Sequence, residues 1–459
     1  MDVDVQAQAP LTQLPHTLLH AILLRLPADE RSRVATVCRT LRDVVANPVL
    51  WTEVDLTRCG VTCSLINPSL IVLALAPRLA ALRVLRLQAW PETREQAAVV
   101  LDALNAVLVL KRGGFIPSLS EVAVAGALQS RIAYGTYPTA RLEVLRALLT
   151  EAPALTRLDV TEPWCESEDA LALLTLPGLR MRTLRWVVRS GTPVPPPLVL
   201  DVLAAAEQHV SLQGIMLPSD TARMLERSSL IPRLVDVAVA RRLTSLSMSG
   251  VRTAMVPHLA RLLRESTSLR SLSICGRSLF EEHNAAVFAT ALRANATLQE
   301  LVLRHVGMWH APFEASGIAV CAALEGHPSV TSLTFDEVYW DVDGMEHFRM
   351  LDVSLDALLR ANAPALTTLD VRVTTQELGT SLPRMFGALP HNTHLRTLRL
   401  RELDSDAAHL RNTMLPGVRG NTSLRELQLS CQDEPATDAR YAIAEAKQLV
   451  EARAGLAAL

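Results

Sequence analysis

The sequence predicts an α/β solenoid in which strands and helices alternate, with a small all-helical module in front of it. An apolar triplet of the form L-x-x-L-x-L returns along most of the chain, and segments of helical composition separate its copies. Residues 14–51 differ from the rest, because they read as two short apolar helices. Alternation within a triplet suits a strand, and the spacers are long enough for a helix.

The N-terminal module is too small to bury its own apolar residues. The first helix, Thr17–Leu26, is apolar almost all round and must be covered on every side. A second helix is predicted from Ala28–Glu30, where the acids suit a helix N-terminus, to Asn47-Pro48. About forty residues cannot close a core around both helices, so the module predicts a partner.

This module resembles an F-box. The resemblance rests on Leu14-Pro15, the Leu-Leu-x-x-Ile-Leu run at 18–23, Val37-Cys38-Arg39 with Leu41-Arg42, and Leu50-Trp51. Leu41 is a departure, because the family often has an aromatic residue there.

Thirteen copies of the triplet are spaced by 26 to 37 residues, about 31 on average. This period is typical of long leucine-rich repeats, in which each unit is a strand plus a full α-helix. The copies are Trp51-Val54-Leu56, Leu82-Leu85-Leu87, Leu119-Val122-Val124, Leu155-Leu158-Val160, Met181-Leu184-Trp186, Leu212-Ile215-Leu217, Leu243-Leu246-Met248, Leu269-Leu272-Ile274, Leu298-Leu301-Leu303, Val330-Leu333-Phe335, Leu366-Leu369-Val371, Leu395-Leu398-Leu400 and Leu424-Leu427-Leu429.

The repeats resemble the ribonuclease-inhibitor style over roughly residues 51–434. Asn295 and Asn362 are predicted to end helices in the left-handed conformation, and Asn392 and Asn421 take the same place before their strands. A helix is about 10 Å wide and strands stack at about 4.8 Å, so we expect a horseshoe with parallel strands on the concave side and helices on the convex side.

Residues between the leucines of a triplet should point into the concavity and are the predicted target-binding residues. A plain solvated sheet face is the alternative for any one of them. They are Ser247, Ser273, Glu300, Arg304, Asp370, Arg372, Arg399 and Arg401.

Composition restricts the possible partners. The formal net charge is −2 and the pI about 6.6, which argues against nucleic-acid and membrane partners. The first thirty residues carry no signal-peptide pattern, and the seven cysteines include no C-x-x-C pair. We therefore expect an intracellular protein of the cytoplasm, the nucleus or both.

Catalytic motifs are missing from the sequence. It has no phosphate-binding G-x-x-x-x-G-K-[ST] loop, no G-x-G-x-x-G, no G-x-S-x-G and no H-E-x-x-H. The histidine and aspartate pairs fail on spacing. No cofactor, no metal and no catalytic residue is predicted.

Together the two signals resemble the F-box/leucine-rich-repeat family, whose members are substrate receptors of SCF-type cullin-RING ubiquitin ligases. The resemblance implies docking on a Skp-type adaptor, and through it on a cullin, while the repeats hold an unknown target protein. Two alternatives remain: a leucine-rich-repeat scaffold unconnected with ubiquitin, and an enzyme. The implied adaptor contacts are Leu14, Pro15, Leu18, Ile22, Leu23, Leu26, Val34 and Cys38.

The expected organisation has four parts. Residues 1–10 are a disordered N-terminus, 11–51 the F-box, 51–434 the repeat array, and 435–459 a helix that caps the last repeat.

Overall fold

The structure is a computed structural model that describes most of the chain. The described residues are 15–26, 30–31, 34–55, 72, 76–88, 94–127, 140–151, 155, 157–162, 164–165, 167–186, 194–227, 229–304, 313–339, 345–374, 382–403, 407–431 and 437–458. The chain folds into two compact units, residues 1–189 with 197–212 and residues 190–196 with 213–459. They are called unit 1 and unit 2.

Unit 1 begins with helices and continues as alternating strands and helices. Short 3-10 helices at Pro48–Trp51 and Ala76–Ala81 connect its first elements. In chain order the elements are α1 (His16–Leu24), α2 (Arg39–Val45), β1 (Glu53–Asp55), β2 (Val84–Gln88), α3 (Arg94–Arg112), β3 (Glu121–Ala127), α4 (Ala140–Glu151), β4 (Arg157–Glu162), β5 (Trp164–Cys165), α5 (Ser167–Leu174), β6 (Leu179–Met181), β7 (Thr183–Trp186) and α6 (Pro196–Gln208).

The sheet of unit 1 is parallel, in the order β1-β2-β3-β4-β6. The order changes at the fourth and fifth triplets, because β4 pairs with β6 while β5 pairs separately with β7. Pro163, which has no N–H to donate, stands between β4 and β5 in the sequence. The triplet pattern does not reveal that these two repeats each carry two short strands.

Unit 2 repeats strand and helix more regularly. It also has 3-10 helices at Thr253–Met255, Arg277–Phe280 and Leu389–His391 and a π-helical turn at Leu410–Met414. Its elements are β8 (Gly214–Leu217), α7 (Ser219–Arg227), α8 (Ile231–Ala240), β9 (Ser245–Ser249), α9 (Val256–Glu265), β10 (Ser271–Cys275), α10 (Glu282–Ala294), β11 (Glu300–Arg304), α11 (Phe313–Leu324), β12 (Ser332–Tyr339), α12 (Met345–Arg360), β13 (Thr368–Thr374), α13 (Pro383–Ala388), β14 (Thr397–Leu403), α14 (Ala407–His409), α15 (Leu415–Gly420), β15 (Glu426–Cys431) and α16 (Thr437–Ala458).

Parallel register in unit 2 places equivalent residues of the triplets side by side from β8 to β15. The second triplet position forms the column Ile215, Leu246, Leu272, Leu301, Leu333, Leu369, Leu398 and Leu427, and every member is buried. Apolar residues of the helices complete this core, for example Leu259 and Leu263 of α9. The α/β leucine-rich-repeat class predicted from the triplets is therefore confirmed.

Buried polar side chains connect successive repeats. The Asn295 side chain donates to the Leu263 carbonyl of the preceding repeat at 2.7 Å and accepts from the Thr297 and Leu298 amides at 2.9 and 2.7 Å. Asn392 and Asn421 bond in the same way, to the Leu359 and Leu389 carbonyls. We call these residues, with His327, the inter-repeat ladder.

The sequence predicted a left-handed backbone for the asparagines that follow helices. Among Asn295, Asn362, Asn392 and Asn421, only Asn362 has it, with φ 53°. Asn295, Asn392 and Asn421 have extended backbones. They follow their helices at the buried side of the turn, where the side chain serves the neighbouring repeat instead of reversing the backbone.

Candidate functional site

The N-terminal module is held together by a buried arginine. Arg31 is 8% exposed and donates to the carbonyl oxygens of Leu50 at 2.5 Å, Leu26 at 2.8 Å and Leu24 at 3.2 Å. Burial lowers the pKa of its guanidinium. Arg31 thus ties the end of α1 to the 3-10 helix that follows α2.

The second predicted helix is interrupted at Cys38. Glu30, Arg31 and Val34 have helical backbones, but Cys38 is extended, with φ −156° and ψ 169°, and α2 begins only at Arg39. The break brings Leu41, Val44 and Val45 into the core, where the Trp51 indole donates to the Val45 carbonyl at 2.7 Å.

Much of the surface of α1 remains uncovered. Leu18, Ile22 and Leu24 are 51%, 40% and 50% exposed, whereas Leu19 and Leu23 are buried. We call the three exposed residues the N-terminal apolar face. Leu18 and Ile22 lie one helical turn apart, while Leu24 is exposed at the C-terminal end of α1. Exposed large apolar side chains are typical of an interaction site.

The predicted adaptor contacts fall into three groups. Pro15, Leu18 and Ile22 are exposed, and Leu26, Val34 and Cys38 are partly exposed. Leu14 lies outside the described residues. Leu23 is corrected: it is 2% exposed, because it turns toward α2 and not toward solvent, so it belongs to the core of the module.

A second candidate surface is the side of the unit 2 sheet formed by the residues between the buried leucines. In β9 and β10 these side chains are partly exposed and the leucine column is buried. We call this side the open sheet face. It carries Ser247 and Ser273 in register in β9 and β10 and becomes charged from β11 onward.

Arginines and acids alternate across the charged part of the open sheet face. Arg304 and Arg372 approach Asp336 at 3.6 and 3.7 Å, Arg399 contacts Glu426 at 3.2 Å, and Arg401 contacts Asp370 at 2.6 Å. Arg399 also holds the pKa of the Glu426 carboxyl below its usual range. Exposed ion pairs contribute about 0–1 kcal/mol each, so their effect here is mainly to orient the side chains.

The guanidinium groups are generally more accessible than the acids that hold them. The Arg401 side chain is 50% exposed over an Asp370 side chain that is 8% exposed, and Arg304 is 48% exposed beside Asp336 at 23%. Glu426, at 41%, is the exception to this order. The face therefore presents cationic groups above partly buried carboxylates.

Most predicted target-binding residues lie where the alternation places them. Glu300 and Arg304 are exposed, and Ser247, Ser273, Arg372 and Arg399 are partly exposed. Asp370 is corrected, because it is 6% exposed and holds Arg401 instead of facing solvent. Its Oδ1 atom is buried without a hydrogen-bond partner among the described residues.

Two features were missed by sequence reasoning, and only the first has a signal in the sequence. The inter-repeat ladder has a polar residue three positions before a triplet, as in Asn295-x-x-Leu298 and His327-x-x-Val330. This fixed spacing could have identified it. The second is Arg31, which belongs to no repeated pattern and lies inside the second helix that the sequence predicts.

The described ranges hold neither a metal-binding cluster nor a helix that could span a membrane. No group of three or more His, Cys, Asp and Glu residues is placed there to hold a metal ion. None of the described helices is both long and apolar enough to cross a membrane. Cys38, Cys275, Cys321 and Cys431 form no disulfide among the described residues, and burial raises the pKa of Cys321 to about 12.

Comparison with known proteins identifies the first module. Residues 11–57 match the F-box-like family model, so the chain carries an F-box-like domain. No protein of curated function matches the chain.

Two solved structures share a coarse likeness with the chain. The complex of Rad7 and Elc1 in yeast has a chain with 15% identity, a TM-score of 0.37, and coverage of 81% of this chain and 88% of the other. A chain of the TLR13–ssRNA13 complex is 13% identical to this chain, with a TM-score of 0.32. The match covers 77% of this chain and 48% of the other.

Proposed function

We propose that this chain is the substrate receptor of an SCF-type cullin-RING ubiquitin ligase. Its F-box-like domain docks on a Skp-type adaptor, and its leucine-rich repeats hold a target protein. The chain forms no bond itself, but raises the local concentration of the target near a ubiquitin-conjugating enzyme. The observation that supports this proposal is an F-box-like domain whose first helix leaves Leu18, Ile22 and Leu24 exposed.

A scaffold without a ubiquitin connection is the alternative function. In a scaffold the first helices would serve only to cap the repeats and would bury their apolar residues against them. The exposed N-terminal apolar face favours the receptor instead.

Substitution of Ile22 by Asp tests the docking step. A charge in the centre of an apolar interface of about 800 Å² per partner should abolish co-purification of a Skp-type adaptor. Val210→Asp is the matched control, because Val210 is 86% exposed and lies outside the N-terminal module.

Adaptor binding should be lost in Ile22→Asp and retained in Val210→Asp, and both variants should unfold at the wild-type temperature. If Ile22→Asp retained the adaptor, or if the wild type did not bind it, the chain would be a scaffold.

The open sheet face supports a proposal about the target. Four arginines of this face are positioned by ion pairs with carboxylates and keep part of each side chain exposed to solvent: Arg304, Arg372, Arg399 and Arg401. Positioned guanidinium groups suit anionic partners, because they bind carboxylates and phosphates in a planar fork. We therefore assign this face to an acidic or phosphorylated segment of the target.

A comparison of the affinities of labelled peptides tests this assignment. The purified complex with adaptor should bind labelled Glu-rich or phosphoserine peptides more tightly than a Lys-rich peptide, and binding should weaken with salt. Replacing Arg372 and Arg399 by Gln should remove this preference, whereas Arg264→Gln and Arg293→Gln, at exposed positions of α9 and α10, should not.

The two anionic peptides distinguish between carboxylate and phosphate as the preferred group. Equal binding of acidic and basic peptides would show that the face is only solvated.

A further inference from the structure

The basic residues of this chain are almost all arginine. Of the 45 lysine and arginine residues only two, Lys111 and Lys447, are lysine. Lysine is ordinarily among the commonest residues of soluble proteins. The chain is therefore nearly without side-chain amines, while it keeps the number of positive charges close to the number of acids.

The fold does not require arginine at many of these positions. Arg360 contacts Asp356 through a single Nε–Oδ1 pair of 2.7 Å, one helical turn away, and its side chain is 50% exposed. Lysine makes pairs of this spacing equally well. Arg146, Arg264 and Arg293 are likewise exposed on helices. Planar, two-pronged recognition, for which lysine is a poor substitute, is not what Arg360 performs.

Both lysines have their amines engaged. Lys111 Nζ lies at the end of α3 and donates to the Pro117 carbonyl at 2.8 Å and the Ile116 carbonyl at 3.3 Å. Lys447 Nζ, on α16, donates to the Leu429 carbonyl of β15 at 3.4 Å. Both residues are only partly exposed. An amine held in this way must leave its carbonyl partner before it can react.

Ubiquitin transfer requires a free amine. The neutral Nζ of a lysine attacks the thioester carbonyl that joins ubiquitin to the conjugating enzyme's cysteine. An isopeptide bond forms, the carbon–sulfur bond breaks, and the departing thiolate takes up the proton that the amine loses. A guanidinium cannot replace the amine, because it stays protonated and has no free lone pair to attack the thioester.

We propose that this chain is built to escape the ubiquitin transfer that it directs. This inference rests on the proposed function, because only a receptor inside a ligase is held continuously beside the charged enzyme. In the ligase, the ubiquitin-loaded enzyme is at high effective concentration near the receptor's own amines as well as near those of the target, so both would be modified faster. A surface of arginine leaves the target as the main acceptor and spares the receptor.

The experiment compares the wild-type complex with a variant that regains amines. The full chain is assembled with adaptor, cullin and RING subunit, and is supplied with activating enzyme, conjugating enzyme, ubiquitin and ATP. The variant carries Arg146→Lys, Arg264→Lys, Arg293→Lys and Arg360→Lys, all on helices and none of them among the residues that form the two candidate surfaces. A control carries Gln at the same four positions.

We expect little ubiquitin on the wild type, at least a fivefold increase in modified receptor for the Lys variant, and no increase for the Gln control. A chain with Lys111→Arg and Lys447→Arg should behave as the wild type does. Labelling with an amine-reactive acetyl ester, read by mass spectrometry, should modify the four introduced lysines faster than Lys111 and Lys447.

Three results would overturn the inference. They are heavy modification of Lys111 or Lys447 in the wild type, no increase in the Lys variant while free ubiquitin chains form, and fast acetylation of the two native lysines. Failure of the adaptor to co-purify is a separate result, which rejects the proposed function and removes the premise of the inference.

Discussion

In unit 2, single buried polar side chains form hydrogen bonds between one repeat and the repeat before it. His327 shows this most clearly: it is 2% exposed, its Nδ1 accepts from the Ser329 and Val330 amides at 3.3 and 3.2 Å, and its Nε2 faces the Leu292 carbonyl at 3.1 Å. These contacts require a neutral ring with the proton on Nε2. The imidazole therefore donates to the preceding repeat and accepts from its own turn, as the asparagine side chain does in other repeats.

His327 makes the stability of unit 2 depend on pH. Burial lowers the pKa of the imidazole, although the Leu292 carbonyl opposes this shift. A lowered folded-state pKa means that its contribution is complete above about 6.5, the ordinary histidine value, and is lost as the pH falls through the folded value. His327→Asn should keep the ladder and remove this part of the pH dependence, as measured by denaturant unfolding at pH 7.5 and at pH 5.

The control for the His327→Asn measurement is a variant that changes another histidine. His283→Asn, at an exposed position of α10, should leave the pH dependence of unfolding unchanged. An equal loss of stability between pH 7.5 and pH 5 in wild type and His327→Asn would exclude His327 as the titrating group.

At the scale of the element, each strand of unit 2 separates a core side from an open side. Leu398 of β14 is fully buried between Leu369 and Leu427, whereas its neighbour Arg399 pairs with Glu426 on the open sheet face. Arg401 differs from Arg399 because it covers Asp370, whose carboxylate would be left buried and unpaired without it.

Leu398→Ala should lower the free energy of unfolding by about 2–5 kcal/mol, because it leaves a cavity in the column of leucines. Arg399→Gln should lower it by less than about 1 kcal/mol, since it removes one exposed ion pair. Chemical denaturation of both variants measures the difference. Equal destabilisation would mean that the register of β14 is wrong.

Sequence periodicity predicted the strands well because burial alone sets their alternation. It placed Leu398 in the core and Arg399 on the open side, as the structure does. It failed where a polar contact competes with burial: the buried Asp370 and the side chain of Asn295 have partners 31 and 32 residues away in the sequence. Such partners have no signature in a local pattern. The extended backbone of Cys38 was also missed.

At the scale of the whole molecule, the N-terminal apolar face is expected to govern solubility. The family resemblance implied Leu18, Ile22 and Leu23 of α1 as contacts, but Leu23 is buried and Leu24 is exposed. The difference arises because α1 packs against α2 through the Leu19–Leu23 side.

Expressed alone, the chain should self-associate through this face, and co-expression with a Skp-type adaptor should give a monodisperse complex. Size-exclusion chromatography with light scattering measures both states. Leu18→Ser with Ile22→Ser should also relieve the association in the absence of adaptor. A stable monomer of the unaltered chain would contradict the expectation.

The side-by-side columns of unit 2 also determine how the molecule would respond to mechanical load. A pull on α16 acts first on its packing against α15 and β15, and then on the contact between β14 and β15. Each strand bonds only to its neighbours, so earlier strands are loaded only after that contact has opened. The 29 residues between Leu395 and Leu424 would then release about 100 Å of extended chain. Unit 2 would lengthen in discrete steps from its C-terminal end, each of about one repeat.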